Sequence, residues 1–443
     1  MDFIRKIFSI ILGAIIAIGS YVFTNPKDAQ ADVTVLFQEK NITLKTGESV
    51  TFETGTPIEI NSLVMEEKGD SAKLFTFEAF VDGDFQLVTK GDTIDEYRFC
   101  AFDKVKSDKF RLTINDCGDE KVTLKSVKLC LDENVKKDFK VTSYYVMRGN
   151  EDTVNLDKGH YLTTTDLIVF GAVTFDENGN INISDEDNIA TYIKRVKKIN
   201  PDIKLHLNVL GPDASGNTWD EQMINKGELH VKAMKDNREK LINGLVSTLD
   251  KFGFDGIYFD WEYTTTVDLK YEFSVFLVEL DKALGDKELG SALSAWCCKL
   301  SRSAINALDN VTVMSYDIFD RYGYHASFSS SYDAVKEFLR AGYKKEQLHL
   351  GLAFYARPLD AGGYWFEYST YADQLGKYTN TLTVNYNGQS FPSYFNCVQI
   401  IRDKTEYAIA TDLAGVMIWN LGCDLPFENE LSLYKAISDS INS

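Results

Sequence analysis

Two carboxylates stand two positions apart in an otherwise apolar segment of the sequence. The segment, residues 254–263, reads FDGIYFDWEY and contains Asp260 and Glu262. A β-strand repeats every second residue, so Tyr258, Asp260 and Glu262 are expected to share one face of a strand. Carboxylates in an apolar cleft repel each other and lose hydration, which raises at least one pKa. The spacing therefore predicts a general acid that stays protonated near neutral pH.

This segment resembles the active-site strand of family 18 glycoside hydrolases, the chitinase family. The family pattern begins with Asp-Gly, here Asp255 and Gly256, and has acidic residues at the positions of Tyr258, Asp260 and Glu262. The sequence keeps the last two and has tyrosine at the first. A phenol at position 258 can hydrogen-bond Asp260 but is not ionised near neutrality, so we expect it to lower the pKa of Asp260.

Three further segments resemble strands of the same family, in the family's order. Residues 313–317 (VMSYD) are similar to its sixth strand, residues 350–357 (LGLAFYAR) to its seventh and residues 415–419 (GVMIW) to its eighth. The resemblance implies cleavage of β-1,4 links in N-acetylglucosamine-containing glycans, such as chitin or chitooligosaccharides. It also implies a retaining mechanism in which the 2-acetamido group of the substrate is the nucleophile.

The resemblance assigns a role to each candidate site residue. Glu262 protonates the glycosidic oxygen and later acts as base, Asp260 holds the acetamido N–H, and Tyr316 donates a hydrogen bond to the acetamido oxygen. These three are the predicted catalytic residues. The other residues predicted to contact the substrate are Trp419, which would lie beneath the sugar, and Asp317, Tyr144, Met314, Tyr258 and Arg357.

The elements that must position these residues alternate between strand and helix after residue 139. Amphipathic helix patterns at 187–199, 232–252, 267–284 and 331–341 separate apolar strand candidates. Eight βα units predict an α/β fold, a closed (β/α)8 TIM barrel with its active site at the carboxyl ends of the strands. The predicted strands are residues 141–147, 167–173, 204–210, 256–261, 289–296, 311–316, 348–355 and 415–419.

Residues 32–138 show short alternating strands, typical of a small all-β sandwich. Residues 75–130 have a weaker resemblance to discoidin and galactose-binding jelly rolls, which leaves a carbohydrate-binding domain and a plain spacer as alternatives. The charged residues 132–138 mark the boundary. The predicted domains are therefore a signal peptide at 1–31, the sandwich at 32–138 and the family 18 barrel at 139–443.

The first 31 residues resemble an export signal, with Arg5 and Lys6 before an apolar run at 7–23 and a small-residue cleavage site at 29–31. An uncleaved membrane anchor is the alternative. We therefore expect a secreted or extracellular protein. A net charge of -19 argues against nucleic acid or an anionic membrane surface as partner, whereas a neutral glycan is compatible with it.

Seven cysteines show no zinc-type spacing with histidines, so neither a metal site nor a cofactor is predicted. Cys100, Cys117 and Cys130 offer one disulfide inside the first domain, and which two of them would pair is left open. Residues 356–414, between the seventh and eighth strands, are rich in aromatic side chains. This stretch is short for the α+β insertion of larger chitinases, which favours a shallower cleft.

Two other functions remain open from the sequence. An endo-β-N-acetylglucosaminidase acting on N-glycans or peptidoglycan would use the same chemistry with different loops. A lectin of the same fold would bind chitin without cutting it, but such proteins typically lose the acid, and Glu262 is present.

Overall fold

A computed structural model describes residues 26–262 and 266–442 of the chain. Residues 1–25, most of the predicted signal peptide, lie outside the described residues. Within the described ranges, no helix combines the length and apolar character needed to cross a membrane. The first described element is the 3-10 turn Pro26–Ala29, where the Ala29 carbonyl accepts a hydrogen bond from the Tyr407 hydroxyl (2.6 Å).

Six antiparallel strands form the N-terminal domain, in the order β1-β6-β2-β5-β3-β4. They are β1 (Thr34–Leu44), β2 (Ser49–Glu67), β3 (Leu74–Val81), β4 (Asp84–Gly91), β5 (Arg98–Asp116) and β6 (Val122–Leu131). Alternate residues such as Phe75, Phe77 and Ala79 fill its core. The all-β domain is confirmed, but one hydrogen-bonded sheet replaces the two sheets of the expected sandwich. The reason is that β2 and β5 each run for 19 residues through register shifts, where shorter strands were expected.

The strands of the C-terminal domain alternate with helices. They are β7 (Lys140–Val146), β8 (Asp166–Phe175), β9 (Ile181–Ile183), β10 (Lys204–Leu210), β11 (Gly256–Asp260), β12 (Glu288–Leu293), β13 (Asn310–Val313), β14 (Leu348–Ala353), β15 (Tyr355–Pro358), β16 (Phe366–Glu367), β17 (Thr381–Tyr386), β18 (Gln389–Tyr394) and β19 (Gly415–Trp419). Eight of them, all but β9 and β15–β18, are parallel neighbours, and the β8–β10 pairing closes the ring. The predicted (β/α)8 barrel is confirmed.

Helices surround this barrel. They are α1 (Lys158–Thr163), α2 (Glu186–Ile199), α3 (Trp219–Val231), α4 (Arg238–Phe252), α5 (Val267–Leu284), α6 (Arg302–Ala307), α7 (Phe328–Ala341), α8 (Tyr368–Leu375), α9 (Val398–Ala410) and α10 (Leu433–Ile441). Local sequence explains their ends and orientation. The Asp185 side chain caps α2, and the buried Ile189, Tyr192 and Val196 lie on its inner stripe. Helix α4 ends at Gly253, which has the left-handed φ of 72° that glycine tolerates.

Between β14 and β19 the chain forms a small α+β insertion. Strands β15, β16, β17 and β18 make an antiparallel sheet in the order β16-β15-β18-β17, and α8 lies between β16 and β17. We expected residues 356–414 to be too short for such an insertion, and this prediction is wrong. The hairpin of β17 and β18 has six residues in each strand, and β15 and β16 are shorter still, so a compact version of the insertion fits into this stretch.

The sheet domain packs on the barrel through a buried polar interface. Arg98 of β5 pairs with Asp403 of α9 at 2.7 Å, and both side chains are almost fully buried. Asp403 also accepts a hydrogen bond from the Ala101 backbone N–H (2.9 Å) and from the Gln399 amide (2.8 Å). Around this pair, the Tyr97 ring stacks on Tyr332 at 4.8 Å. These contacts join the sheet domain to α7 and α9 and so hold the two domains in one relative placement.

All seven cysteines are buried and have free thiols. The disulfide expected among Cys100, Cys117 and Cys130 is therefore wrong. These residues fill the apolar cores instead, as free cysteine often does. Burial raises the pKa of the Cys130 thiol to about 12, which makes it a poor nucleophile at neutral pH.

Candidate active site

Strand β11 places Asp260 at the carboxyl end of the barrel, and Glu262 follows two residues later. The register pairs Asp260 with Ala292 of β12. Between the two carboxylates, Trp261 is buried on the opposite side, where its ring stacks on Phe273 of α5 at 3.7 Å. Since neighbouring side chains of an extended segment alternate, Asp260 and Glu262 are left on the side that faces the mouth of the barrel.

The electrostatics of this pair suit a general acid. Burial, followed by the Glu262 charge, raises the pKa of Asp260 above its usual range. Burial, followed by the Asp317 charge, raises the pKa of Glu262, while Lys226 opposes the shift. The Asp260 Oδ1 atom is buried and has no hydrogen-bond partner among the described residues. The pair can therefore hold a proton at a pH where ordinary carboxylic acids have lost theirs.

Tyr316 follows β13 on the adjacent side of the site. It is 8% exposed, and among the described residues its hydroxyl has one weak acceptor, the Met417 sulfur, at 3.8 Å. Its ring packs edge-on against Tyr355 at 6.1 Å. Burial raises the pKa of Tyr316 well above the usual value, so the phenol remains protonated and can donate a hydrogen bond to a ligand.

Trp419, the last residue of β19, lies in an aromatic cluster at the centre of the barrel mouth. Its ring is 5.1 Å from Tyr144 of β7 and 5.1 Å from Phe170 of β8, in edge-on geometry. Met314 is buried in the same cluster. These contacts fix the plane of the indole ring. The structure thus brings together Tyr144, Tyr316, Met314 and Trp419.

Asp317 and Arg357 form one wall of the site, here called the Asp317–Arg357 wall. Arg357 Nη1 lies 2.9 Å from Asp317 Oδ1. The backbone N–H of Asp317 donates to Nε2 of His325 (2.9 Å), and Asp317 adopts a φ of 54°. Burial acts to raise the pKa of Asp317, but His325 and Arg357 hold it below the usual value. This third carboxylate is therefore ionised and neutralised by Arg357.

Tyr258 does not act as the sequence predicted. It is fully buried, and its hydroxyl makes no hydrogen bond to Asp260 or to any other described residue. Its ring packs edge-on against His206 at 5.2 Å, deeper in the barrel. The expected lowering of the Asp260 pKa is wrong, because the phenol points away from that carboxylate. Tyr258 fills space beneath the site and does not contact the open mouth.

Gly290 of β12 provides the room for this tyrosine. A Cβ atom at position 290 would lie 2.4 Å from the Tyr258 ring. Gly290→Ala is therefore expected to lower the free energy of unfolding by about 1–3 kcal/mol, measured by urea denaturation. Tyr258→Phe, which removes only an unpaired hydroxyl, should leave the stability unchanged or higher. If Gly290→Ala costs as much in a Tyr258→Val background as in the wild type, the steric explanation is incorrect.

A second group of titratable side chains lies at the opposite end of the barrel. Asp166 begins β8, Glu288 begins β12, and His206 Nε2 lies 3.1 Å from Asp166 Oδ1. Their ligand atoms are close enough to hold a metal ion. However, Lys140 Nζ lies 3.3 Å from Asp166, and Lys204 bonds Glu288. These two ammonium groups already neutralise the carboxylates, so the group is an ion-pair network.

Sequence reasoning missed several residues that the structure places around the site. His325 and Tyr355 lie behind the Asp317–Arg357 wall, with ring centroids 4.9 Å apart. The position of His325 depends on a hairpin that the sequence does not reveal. Trp219 and Trp296 follow strands β10 and β12 in the chain and are 61% and 50% exposed.

The sequence profile of glycosyl hydrolases family 18 matches residues 140–424. The chain belongs to this family. The family 18 segment begins at the first barrel strand and contains Asp260, Glu262, Tyr316 and Trp419. The N-terminal sheet domain lies outside it.

Relatives agree with family 18 membership. Probable chitinase 2 of Drosophila melanogaster is 24% identical over 294 residues, which cover 52% of this chain and 58% of that protein. The chain thus spans little more than half the length of this curated relative. A GH18 chitinase structure from Flavobacterium johnsoniae is 24% identical, with a TM-score of 0.54, over 69% of this chain and 94% of that one. A class V chitinase of Nicotiana tobaccum in complex with NAG4 is 19% identical, with a TM-score of 0.53, over 70% of this chain and 99% of that one. At these identities the structures establish the shared fold.

Proposed function

We propose that this family 18 protein is a retaining glycoside hydrolase that cleaves β-1,4 links between N-acetylglucosamine units by substrate-assisted catalysis. One observation carries the proposal. Asp260 ends β11 and Glu262 follows it by two residues on the same chain segment, and the third carboxylate, Asp317, is neutralised by Arg357. A double displacement by the enzyme needs two carboxyl groups on opposite sides of the scissile bond. The acetamido group of the substrate supplies the nucleophile in this site instead, as is established for family 18 chemistry.

The proposed reaction assigns each step to a residue of the site. Glu262 gives its proton to the glycosidic oxygen as the C1–O bond breaks, and the acetamido carbonyl oxygen forms a bond to C1. The resulting oxazolinium ion carries a positive charge, which the Asp260 carboxylate stabilises while it accepts the acetamido N–H. Water then attacks C1 as the bond between C1 and the acetamido oxygen breaks, which restores the acetamido group. Glu262 takes the proton from the water, and the second inversion leaves the configuration at C1 retained.

The aromatic residues orient the reacting sugar. Tyr316 has a protonated, weakly engaged hydroxyl that can donate to the acetamido oxygen and direct it toward C1. Trp419, held by Tyr144 and Phe170, offers its ring to the apolar face of the sugar. Tyr316 and Trp419 contact the sugar before the chemical step in this proposal. Removal of either side chain is therefore expected to weaken substrate binding and to slow turnover.

We also propose export from the cell. The support is the charged, apolar and small-residue pattern of residues 1–31. A secreted enzyme reaches an insoluble extracellular polymer, and a net charge of -19 leaves a neutral glycan as a suitable partner. N-terminal sequencing of the protein from the culture medium would test both export and the cleavage position.

A product screen tests the proposed function. Chitohexaose, a high-mannose glycoprotein and peptidoglycan fragments are incubated with the wild type and with Glu262→Gln, and products are identified by mass spectrometry. Shorter N-acetylglucosamine oligomers from chitohexaose with the wild type alone would support it. Release of N-glycans or cell-wall fragments in preference would assign the endo-β-N-acetylglucosaminidase function. Binding of chitohexaose without cleavage would identify a lectin.

The pH dependence of kcat/KM should be bell-shaped. Both carboxyl pKa values are raised, so each proton is held to a higher pH than in an isolated acid. The two carboxyl groups titrate as a pair, so activity should fall at low pH when the pair takes up a second proton, and fall at high pH when it loses its last proton. In Asp260→Asn, the residual activity should show only the alkaline limb. A wild-type profile that lacks the acidic limb would contradict this assignment.

A further inference from the structure

The N-terminal sheet domain reaches the site through one buried carboxylate, Asp92, in the loop after β4. Asp92 is 6% exposed. Its Oδ2 accepts a hydrogen bond from the Asn380 amide (2.8 Å) and another from the Tyr394 hydroxyl. Both donors belong to the insertion between β14 and β19. We propose that Asp92 is a positioning residue that holds the Asp317–Arg357 wall of the active site from the other domain.

Tyr394 connects Asp92 to the wall along the insertion sheet. In the antiparallel pairing of β15 with β18, Tyr394 is the direct partner of Arg357. Arg357 in turn bonds Asp317 at 2.9 Å. A shift of Tyr394 therefore moves the strand that carries the guanidinium group, because paired residues share the same backbone ladder.

A second connection runs through the hairpin at residues 317–326, whose first residue is Asp317. The Tyr324 ring stacks on the Tyr394 ring at 4.7 Å and 18°. The hairpin is internally tied, since Asp320 Oδ1 accepts the backbone N–H groups of Tyr322 (2.9 Å) and Tyr324 (3.0 Å). Tyr394 therefore contacts both chain segments that carry the wall, strand β15 with Arg357 and the hairpin that begins at Asp317. Asp92 holds Tyr394 through the hydrogen bond that it accepts from the tyrosine hydroxyl.

The tip of the hairpin also touches the sheet domain, but through weaker groups. Arg321 bonds Asp70, and these side chains are 40% and 44% exposed. The Tyr322 hydroxyl donates to the Asp70 carbonyl (2.6 Å). Exposed ion pairs are screened by solvent and contribute little. Loss of the buried Asp92 carboxylate would take the acceptor from two donors, the Asn380 amide and the Tyr394 hydroxyl. This loss costs more than the loss of an exposed ion pair, so the positioning role belongs to Asp92.

The functional consequence rests on the proposed hydrolase activity. If the wall contacts the sugar, its displacement weakens substrate binding more than the proton transfer at Glu262. Asp92→Ala should therefore raise KM for chitohexaose about fivefold or more, with kcat changed less than about twofold. A variant that is merely less folded behaves differently, because it lowers the active fraction and hence the apparent kcat while KM stays constant.

Two matched variants separate positioning from stability. Asp92→Asn keeps an oxygen at Oδ2 and places its amide nitrogen at Oδ1, which has no hydrogen-bond partner among the described residues. Asp92→Asn should therefore have the KM of the wild type. Asp403→Asn weakens the same domain interface at a point outside the insertion and the hairpin. It should lower the melting temperature and leave KM unchanged. Equal KM values for Asp92→Ala and the wild type would overturn the proposal, as would a KM increase in Asp403→Asn as large as in Asp92→Ala.

A measurement without turnover keeps this proposal distinct from the proposed function. Hydrogen exchange of residues 317–326, followed by mass spectrometry, should be about tenfold faster in Asp92→Ala and unchanged in Asp92→Asn and Asp403→Asn. Unchanged exchange in Asp92→Ala would contradict the positioning role even in an active enzyme. Faster exchange in a protein that cleaves no glycan would support the role and reject only the hydrolase proposal.

Discussion

Glu262→Gln is expected to lower kcat on chitohexaose by about 10²–10⁴-fold, with little effect on the fold or on substrate binding. Glutamine has nearly the same shape but cannot donate the proton that the leaving oxygen needs. Burial and the Asp317 charge raise the pKa of Glu262, which suits the proposed role of general acid. Chromatography of the products from chitohexaose measures turnover, and titration calorimetry with chitohexaose measures binding.

The matched control is Glu279→Gln. Glu279 is an exposed carboxylate on α5 that pairs with Arg238 and lies outside the site. This variant should retain wild-type turnover. If Glu262→Gln turns over substrate as fast as Glu279→Gln, Glu262 is not the general acid and the enzyme assignment to this strand fails.

Arg98→Met is expected to destabilise the protein by about 3–5 kcal/mol, because it leaves the buried Asp403 charge without its cation. Arg98 lies on the sheet domain and Asp403 on helix α9, both almost fully buried. The Asp403 hydrogen bonds to Ala101 and Gln399 remain in the variant but cannot supply a positive charge. Urea unfolding, monitored separately by tryptophan fluorescence and circular dichroism, measures the loss.

Two variants test this explanation. The double variant Arg98→Met with Asp403→Leu removes both charges and should recover much of the loss. Arg402→Met removes a cation from the exposed pair with Asp103 and should cost about 0–1 kcal/mol. If the loss in the free energy of unfolding in the double variant equals the sum of the losses in Arg98→Met and Asp403→Leu, the two side chains contribute independently. The ion pair is then not the cause.

The barrel was predictable because its strands are buried on both faces and stand between clear helix patterns. Strands β10 and β19 begin and end at the predicted residues, 204–210 and 415–419. The site carboxylates were predictable for the same reason, since the alternation along a strand places Asp260 and Glu262 on one side. Trp419 and Tyr316 came from the two segments that resemble the eighth and sixth strands of family 18, and β14 lies between these strands in the barrel.

Side-chain direction was harder to predict. Tyr258 shares a strand face with Asp260, but its ring enters the space left by Gly290 and points toward His206. Whether a ring turns toward one end of a barrel or the other depends on a neighbour from another strand, which alternation alone does not reveal. The wrong prediction about the Asp260 pKa comes from this residue.

Contacts between distant parts of the chain were not predictable. Asp92 and Tyr394 are 302 residues apart in sequence, and Arg98 and Asp403 are 305 apart. Neither pair belongs to a motif, since each residue reads locally as an ordinary loop, strand or helix residue. The long strands β2 and β5 were also underestimated, because charged and small residues within them resemble turns until bulges are taken into account.

The most direct test of the account compares two substrates that differ only in the acetamido group. Chitohexaose and its fully deacetylated counterpart, glucosamine hexamer, are incubated with the wild-type enzyme at equal concentration, and initial rates are measured by chromatography of the products. The account predicts cleavage of chitohexaose with retained configuration at C1 and no cleavage of the glucosamine hexamer. Equal rates on both substrates would show that the attacking group does not come from the sugar, and would contradict the mechanism.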